Sequence, residues 1–421
     1  MNDCILYLVL FIVLWGVTFV LNQRKKKYFG ASSTILMLYL LISIFSFISY
    51  SFYTTNKPTL HIIPFLYLYT CIMIACTPIL KYNEAHVEKV GHPNFFFLNV
   101  FTFIYLICAF IQIPGIIKNL YTGIILILTQ VDAGIELYQE THESVRNVSQ
   151  GGISNLFSII FNTFSDAIII ILFYSIVYQP SKKLINTLLF ICVAIQILNS
   201  ISHGARTETT LKMLSFIMAW VTMRKFMSHK QNKLFLLYGG IVLGLVFALI
   251  AAVSFSRFGE RNGGIQIGTV GYLGQGNINF NAYVFNEHEI RHGDRTANTF
   301  KYMLGFDVPN GIRATREKYS YMGIDDSVFY TFVGDFVLDY GVIATPFIFI
   351  CFSLIFCSIT KIKNGIIEFH QLIALYFCIC IVTHGSFYLF SYSFLDNLKI
   401  IAFSLLYIFF YFEYSLRMKH V

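Results

Sequence analysis

Two short polar elements beside apolar runs hold the residue types best suited to chemistry on an anion. The first is His203-Gly204-Ala205-Arg206-Thr207-Glu208. An arginine set between apolar segments needs a counter-charge, and its planar fork matches phosphate oxygens; the competing roles are snorkelling to headgroups or pairing with Glu208. His203 is either a neutral turn residue or a proton carrier. The second element, Ser254-Phe255-Ser256-Arg257-Phe258-Gly259-Glu260-Arg261, sets Arg257 and Arg261 one turn apart if helical. Two such forks suit a pyrophosphate and can neutralise the charge of a departing diphosphate, against the alternative of a membrane-edge anchor. Downstream, Arg291, Arg295, Arg313 and Arg316 alternate with Glu287, Glu289, Asp294 and Glu317, a pattern that predicts local salt bridges.

His288-Glu289-Ile290-Arg291-His292 matches the His-Glu-x-x-His pattern of zinc metalloproteases. On a helix it would place two imidazoles on one face, with Glu289 as base. Arg291 inside the motif puts a positive charge beside a dication, and Gly293-Asp294 breaks the helix at once, so no metal site is expected.

The elements that must position these residues are membrane spans. Of the 421 residues 56% are hydrophobic and 12% charged, and the mean hydropathy is +0.66. Apolar runs of about twenty residues, without the period-two alternation of barrel strands, predict an all-α polytopic membrane protein of about eleven transmembrane helices. The spans read are 4–21, 32–52, 60–80, 95–113, 153–178, 184–202, 209–223, 234–254, 341–360, 369–390 and 398–416.

Arg24 to Lys27, Lys81 with Lys89, Lys182-Lys183, Arg224-Lys225 with Lys230 and Lys233, Lys361 with Lys363, and Arg417 with Lys419 recur at every second connection. That parity puts these loops in the cytoplasm and the amino terminus outside. The outer connections carry mostly arginine, which points to an enzyme acting on an anionic lipid-linked substrate at the outer face. The net charge of +8 is dispersed over short loops and forms no continuous stripe, which argues against nucleic acid. All nine cysteines lie in apolar spans, so no disulfide framework is expected, and the first span, followed by its positive cluster, is expected to be retained.

The whole chain, 1–421, reads as a single integral membrane domain with two long outer connections. The smaller, 114–152, holds the apolar patch Tyr121 to Val131, read as an interfacial helix, before the acidic Asp132, Glu136, Glu140 and Glu143. The larger, 255–340, opens with a turn-prone glycine-rich run from Gly259 to Gly276. It closes with a surface or re-entrant helix over 327–340, on which Asp335 and Asp339 share a face. Asp166, Lys212 and Glu368 are the main ionisable residues within or beside spans, Glu368 at a cytoplasmic edge, and Lys212 stands one turn from Glu208, a candidate for an ion pair or a substrate contact.

On four features the chain resembles the oligosaccharide repeat-unit polymerases, the Wzy-type O-antigen and capsule polymerases of bacteria. These are Gly204-Ala205-Arg206-Thr207; Ser254-Phe255-Ser256-Arg257; Tyr272-Leu273-Gly274-Gln275-Gly276 leading to Phe280 and Tyr283; and Gly334-Asp335-Phe336 through Asp339-Tyr340-Gly341. The resemblance implies glycosyl transfer on the outer face of the bacterial cytoplasmic membrane. A growing glycan would move from undecaprenyl pyrophosphate onto an incoming lipid-linked repeat unit, without metal, nucleotide sugar or other cofactor. It implies diphosphate contacts for Arg206 and Arg257, with Arg261 assisting by proximity. Glu208, His203, Asp335 and Asp339 are the candidates for the base that takes the acceptor proton. Implied partners are the lipid-linked donor and acceptor, membrane lipid, a chain-length regulator and a flippase. An odd number of spans departs from similar proteins, which often have an even number with both ends inside. Two other activities compete: the O-antigen ligase, which shares donor and chemistry, and a flippase or transporter of the lipid-linked glycan, which would need more charge within its helices and smaller loops.

Overall fold

A computed structural model describes residues 2–54, 57–129, 153–202, 206–258, 265–309, 311–324, 328–390 and 394–419. The chain is all-α, and each of the eleven apolar runs lies in a helix. The helices are α1 (Asn2–Lys26), α2 (Ala31–Ile48), α3 (Ile62–Lys81), α4 (Phe95–Thr129), α5 (Ile153–Thr163), α6 (Ser165–Tyr178), α7 (Lys183–Ser202), α8 (Arg206–Met223), α9 (His229–Phe258), α10 (Ile265–Asn279), α11 (Asn298–Met303), α12 (Gly311–Lys318), α13 (Thr331–Ile359), α14 (Phe369–His384) and α15 (Leu395–Lys419). Among the described residues eight are long and apolar enough to cross a membrane, and the pair α5 and α6, bent by 59° at its break, passes the same test together and brings the number to nine if it is one span. The other two of the eleven runs depart from an ordinary span for visible reasons. Helix α8 starts with Arg206, Glu208 and Lys212, and α14 has only 16 residues.

Two expectations change. Helix α4 runs 35 residues, about 52 Å at 1.5 Å per residue, so the outer connection expected from residue 114 is helical as far as Thr129. Pro114 sits inside it, since a proline in a membrane helix need not end it. The acidic stretch beyond lies outside the described residues. The glycine-rich run read as turn-prone is helical from Ile265, and Gly274 shows why. A Cβ there would stand 2.5 Å from the Phe45 carbonyl oxygen, so glycine lets the backbones of α10 and α2 touch. Ser46 Oγ donates to the Gly274 carbonyl at 2.8 Å, and Asn277 Nδ2 to Ser46 Oγ at 3.0 Å.

Two compact units can be described within the chain: residues 1–88, 266–367 and 377–401, and residues 89–265, 368–376 and 402–421. In the first, Trp15 stacks on Tyr39 with centroids 5.0 Å apart, and Phe11 packs on Phe65. The basic connections assigned to one side by parity meet at one end of this unit. Lys26 Nζ donates to the Tyr82 carbonyl, Ala31 N to Glu84 Oε1 at 2.6 Å, and Glu88 N to the Gly365 carbonyl at 2.7 Å.

In the second unit α4 packs on α5 and α7, and α6 packs on α7 and α8. Phe173, Phe216 and Phe235 form an aromatic cluster with centroids 4.8 to 5.4 Å apart. Residues 165–175 of α6 are buried throughout, Asp166 included. A buried carboxylate is costly in lipid unless paired, and Lys212 Nζ lies 2.6 Å from Asp166 Oδ1. The partner that sequence spacing offered to Lys212, Glu208, is instead exposed.

Candidate functional site

At the other end of the first unit the large connection is folded structure. After α10 and a single π-turn over Phe280–Val284, the chain runs irregularly to α11. The His-Glu-x-x-His stretch lies in that irregular part. Residues 287–291 are not helical, and His292 and Gly293 take positive φ of 52° and 83°. The two imidazoles therefore share no helical face, and the geometry of a zincin site is not formed.

The irregular stretch is pinned by the two aspartates that sequence placed on one helical face. Arg291 Nε donates to Asp339 Oδ1 at 3.1 Å, and Arg295 Nε lies 3.0 Å from Asp335 Oδ1. Asp339 Oδ2 accepts from the Thr296 amide and hydroxyl, both at 2.7 Å, and from the Arg295 amide at 3.3 Å. Asp335 Oδ2 accepts from Leu389 N at 3.4 Å, and Arg295 Nε also donates to the Phe390 carbonyl at 3.0 Å. Both carboxylates are fully buried; for Asp339 the guanidinium, amide and hydroxyl partners replace water, whereas Asp335 has the charge of Arg295 and one long amide bond.

A second hub stands one turn away. Asp294 accepts from Lys301 Nζ, from Lys318 Nζ at 2.8 Å and from the Tyr319 hydroxyl at 2.5 Å. Burial pushes its carboxyl upward, but the bonds from Lys301, Lys318 and Tyr319 outweigh that and hold it below the usual carboxylate value. Burial, and then its bond to Asp294, push the Tyr319 phenol well above its ordinary value.

The sequence anticipated salt bridges for Arg291 and Arg295 but drew the partners from within the loop. The observed partners lie 48 and 40 residues on, in α13. One signal was available: two arginines four residues apart match two aspartates four residues apart.

The remaining candidates belong to the second unit. Arg206 begins α8 and is buried, with 7% of its surface exposed, while Glu208 in the same turn is exposed. Arg257 lies in the last turn of α9. His203 and Arg261 fall outside the described residues. The structure thus brings Asp335 and Asp339 together with Arg291 and Arg295, while Arg206 and Glu208 stand on different faces of the first turn of α8.

Chemically the two groups differ. Asp339, engaged by Arg291, two backbone amides and the Thr296 hydroxyl, and Asp335, facing Arg295 and the Leu389 amide, are organisers of the loop. A buried arginine at the amino end of an 18-residue helix adds its charge to the positive end of the helix dipole, which favours an anion. Comparison of the chain with family models, with curated proteins and with solved structures finds no match.

Proposed function

We propose that this multi-pass membrane protein is a glycosyltransferase that polymerises oligosaccharide repeat units carried on undecaprenyl pyrophosphate, at the outer face of the bacterial cytoplasmic membrane. The observation that carries the proposal is Arg206: a buried guanidinium at a helix amino terminus, at the end of α8 opposite Arg224 and Lys225. Positive charge at a helix amino terminus suits an anion, and a lipid diphosphate is an anion that a membrane enzyme meets at the bilayer surface.

In the reaction, an acceptor hydroxyl forms a bond to the anomeric carbon of the donor glycan as the carbon–oxygen bond to diphosphate breaks. The hydroxyl proton passes to a base, and the electron pair leaves with the lipid diphosphate. Arg206 and Arg257, with Arg261, stabilise the charge on that leaving group. Glu208, exposed in the same turn as Arg206, is the base this arrangement favours, with His203 beside it in sequence. Asp335 and Asp339, engaged by Arg295 and Arg291, shape the loop. The chemistry proposed calls on no metal or cofactor.

The test is deletion of the gene in its host, with the surface glycan then resolved by length. Single repeat units on the normal carrier lipid, with a ladder restored by complementation, support polymerisation. Polymer retained on the lipid carrier means a ligase, and repeat units held at the cytoplasmic face mean a flippase. In the complemented strain, Arg206→Ala and Arg257→Ala should each abolish the ladder at unchanged membrane abundance, and lysine should restore little of it for want of the bidentate fork.

A further inference from the structure

The first ten residues of α13, Thr331 to Tyr340, are bounded at both ends by backbone that a helix does not use. Thr331 has a φ of 67°, a conformation that a β-branched residue rarely adopts and that costs free energy. Gly341, with φ 82° and ψ 165°, separates these ten residues from the long apolar part that follows. The strained end is tightly built. A Cβ on Gly334 would come within 2.6 Å of the Tyr330 Cβ, and Thr331 N and Phe332 N donate to the carbonyls of Phe387 and Gly385 at 3.0 and 2.9 Å.

Between its ends the segment is fastened to the loop by charge. Asp335 meets Arg295 and Asp339 meets Arg291, while the Leu338 carbonyl accepts from Arg291 N at 2.8 Å. The Tyr340 hydroxyl lies 3.1 Å from Thr296 Oγ1, which can accept its proton, and stands against Gly293. Strain at one end, a glycine joint at the other and an ionic latch between them are the parts of a two-position device.

We propose that Thr331–Tyr340 is a latched lever. It opens as one body about Gly341, driven by release of the strain at Thr331, and is held shut by the Arg291–Asp339 and Arg295–Asp335 pairs. Opening parts the segment from residues 291–296 and gives a ligand access to the loop end of this unit. The lever stands or falls independently of the polymerase assignment, because its test needs no substrate.

The experiment is hydrogen–deuterium exchange on the full chain in phosphatidylethanolamine and phosphatidylglycerol nanodiscs. In the wild type, amides 333–340 should exchange at one common protection, set by a single opening. Thr331→Gly removes the strain of the closed position and should slow that opening about tenfold, the factor that corresponds to about 1.4 kcal/mol. Arg295→Gln weakens the latch and should speed the same amides at least tenfold, leaving 31–48 and 62–81 unchanged. Graded exchange along 333–340, unchanged or faster exchange in Thr331→Gly, or acceleration shared by 31–48 and 62–81 in Arg295→Gln would each overturn the proposal.

Discussion

Arg291 and Asp339, 48 residues apart in sequence, meet at 3.1 Å with side chains 3% and 0% exposed. Removing one partner from such a pair leaves a buried charge uncompensated, which typically costs about 3–5 kcal/mol. Asp339→Ala and Arg291→Ala should each lower the unfolding temperature of the purified protein sharply. The double variant should lose less than the sum, with a coupling of at least about 1 kcal/mol in a thermal-unfolding cycle. Additive losses would show that the pair contributes nothing as a pair.

The contact between α10 and α2 gives a steric prediction. Gly274→Ala forces a methyl to within 2.5 Å of the Phe45 carbonyl oxygen, and overpacking of this kind costs about 1–3 kcal/mol. Gly240→Ala, in α9 with nothing within 4 Å of its added methyl, should be neutral or slightly stabilising, because alanine favours a helix over glycine. Parallel melting curves in detergent check both, and equal behaviour of the two variants would refute the close-packing role of Gly274.

Asp294 predicts an acid limb of stability. Its carboxyl titrates lower in the folded chain than in the unfolded one, so the unfolded state binds more protons as pH falls. The contribution of Asp294 is therefore complete above the ordinary aspartate value of about 4 and is lost as pH drops through the lower folded value. Melting temperatures taken from pH 6 to pH 3 should fall less steeply in Asp294→Asn than in the wild type, at a lower starting value.

The pair in the second unit should show the asymmetry of buried ions. Lys212→Met alone strands Asp166 among apolar residues of α6 and should reduce the amount of folded protein recovered from membranes. Adding Asp166→Leu removes the stranded charge, and size-exclusion profiles should return most of the folded peak. A double variant no better than Lys212→Met would locate the defect in packing rather than charge.

Hydropathy made the spans legible because lipid imposes one rule, about twenty apolar residues that satisfy their own backbone. It misplaced the end of α4 because Pro114 reads as a terminator by rules drawn from water, where a proline removes a helical hydrogen bond outright. Gly274 was misread for the same reason, as a loop former rather than a packing residue. The shared face of Asp335 and Asp339 was visible, since it depends only on a spacing of four. Their partners were not, because a contact across forty or more residues leaves no local pattern. Lys212 illustrates the same limit within a span, where the neighbour one turn away, Glu208, lost to a residue in another helix.

The division of the chain carries a consequence for how the protein is made. The first unit is assembled from residues 1–88 and from segments that begin again only at 266. At about 5–20 residues per second, α1, α2 and α3 wait roughly 9 to 36 s after their synthesis before α10 emerges to dock on α2. Throughout that interval the buried edge of Ser46 and the aromatic group around Trp15 are already in the bilayer while part of their packing has not been translated. A ribosome stalled between the two halves would therefore leave an incomplete bundle for membrane quality control to recognise, while the uninterrupted stretch 89–265 of the second unit can begin to pack.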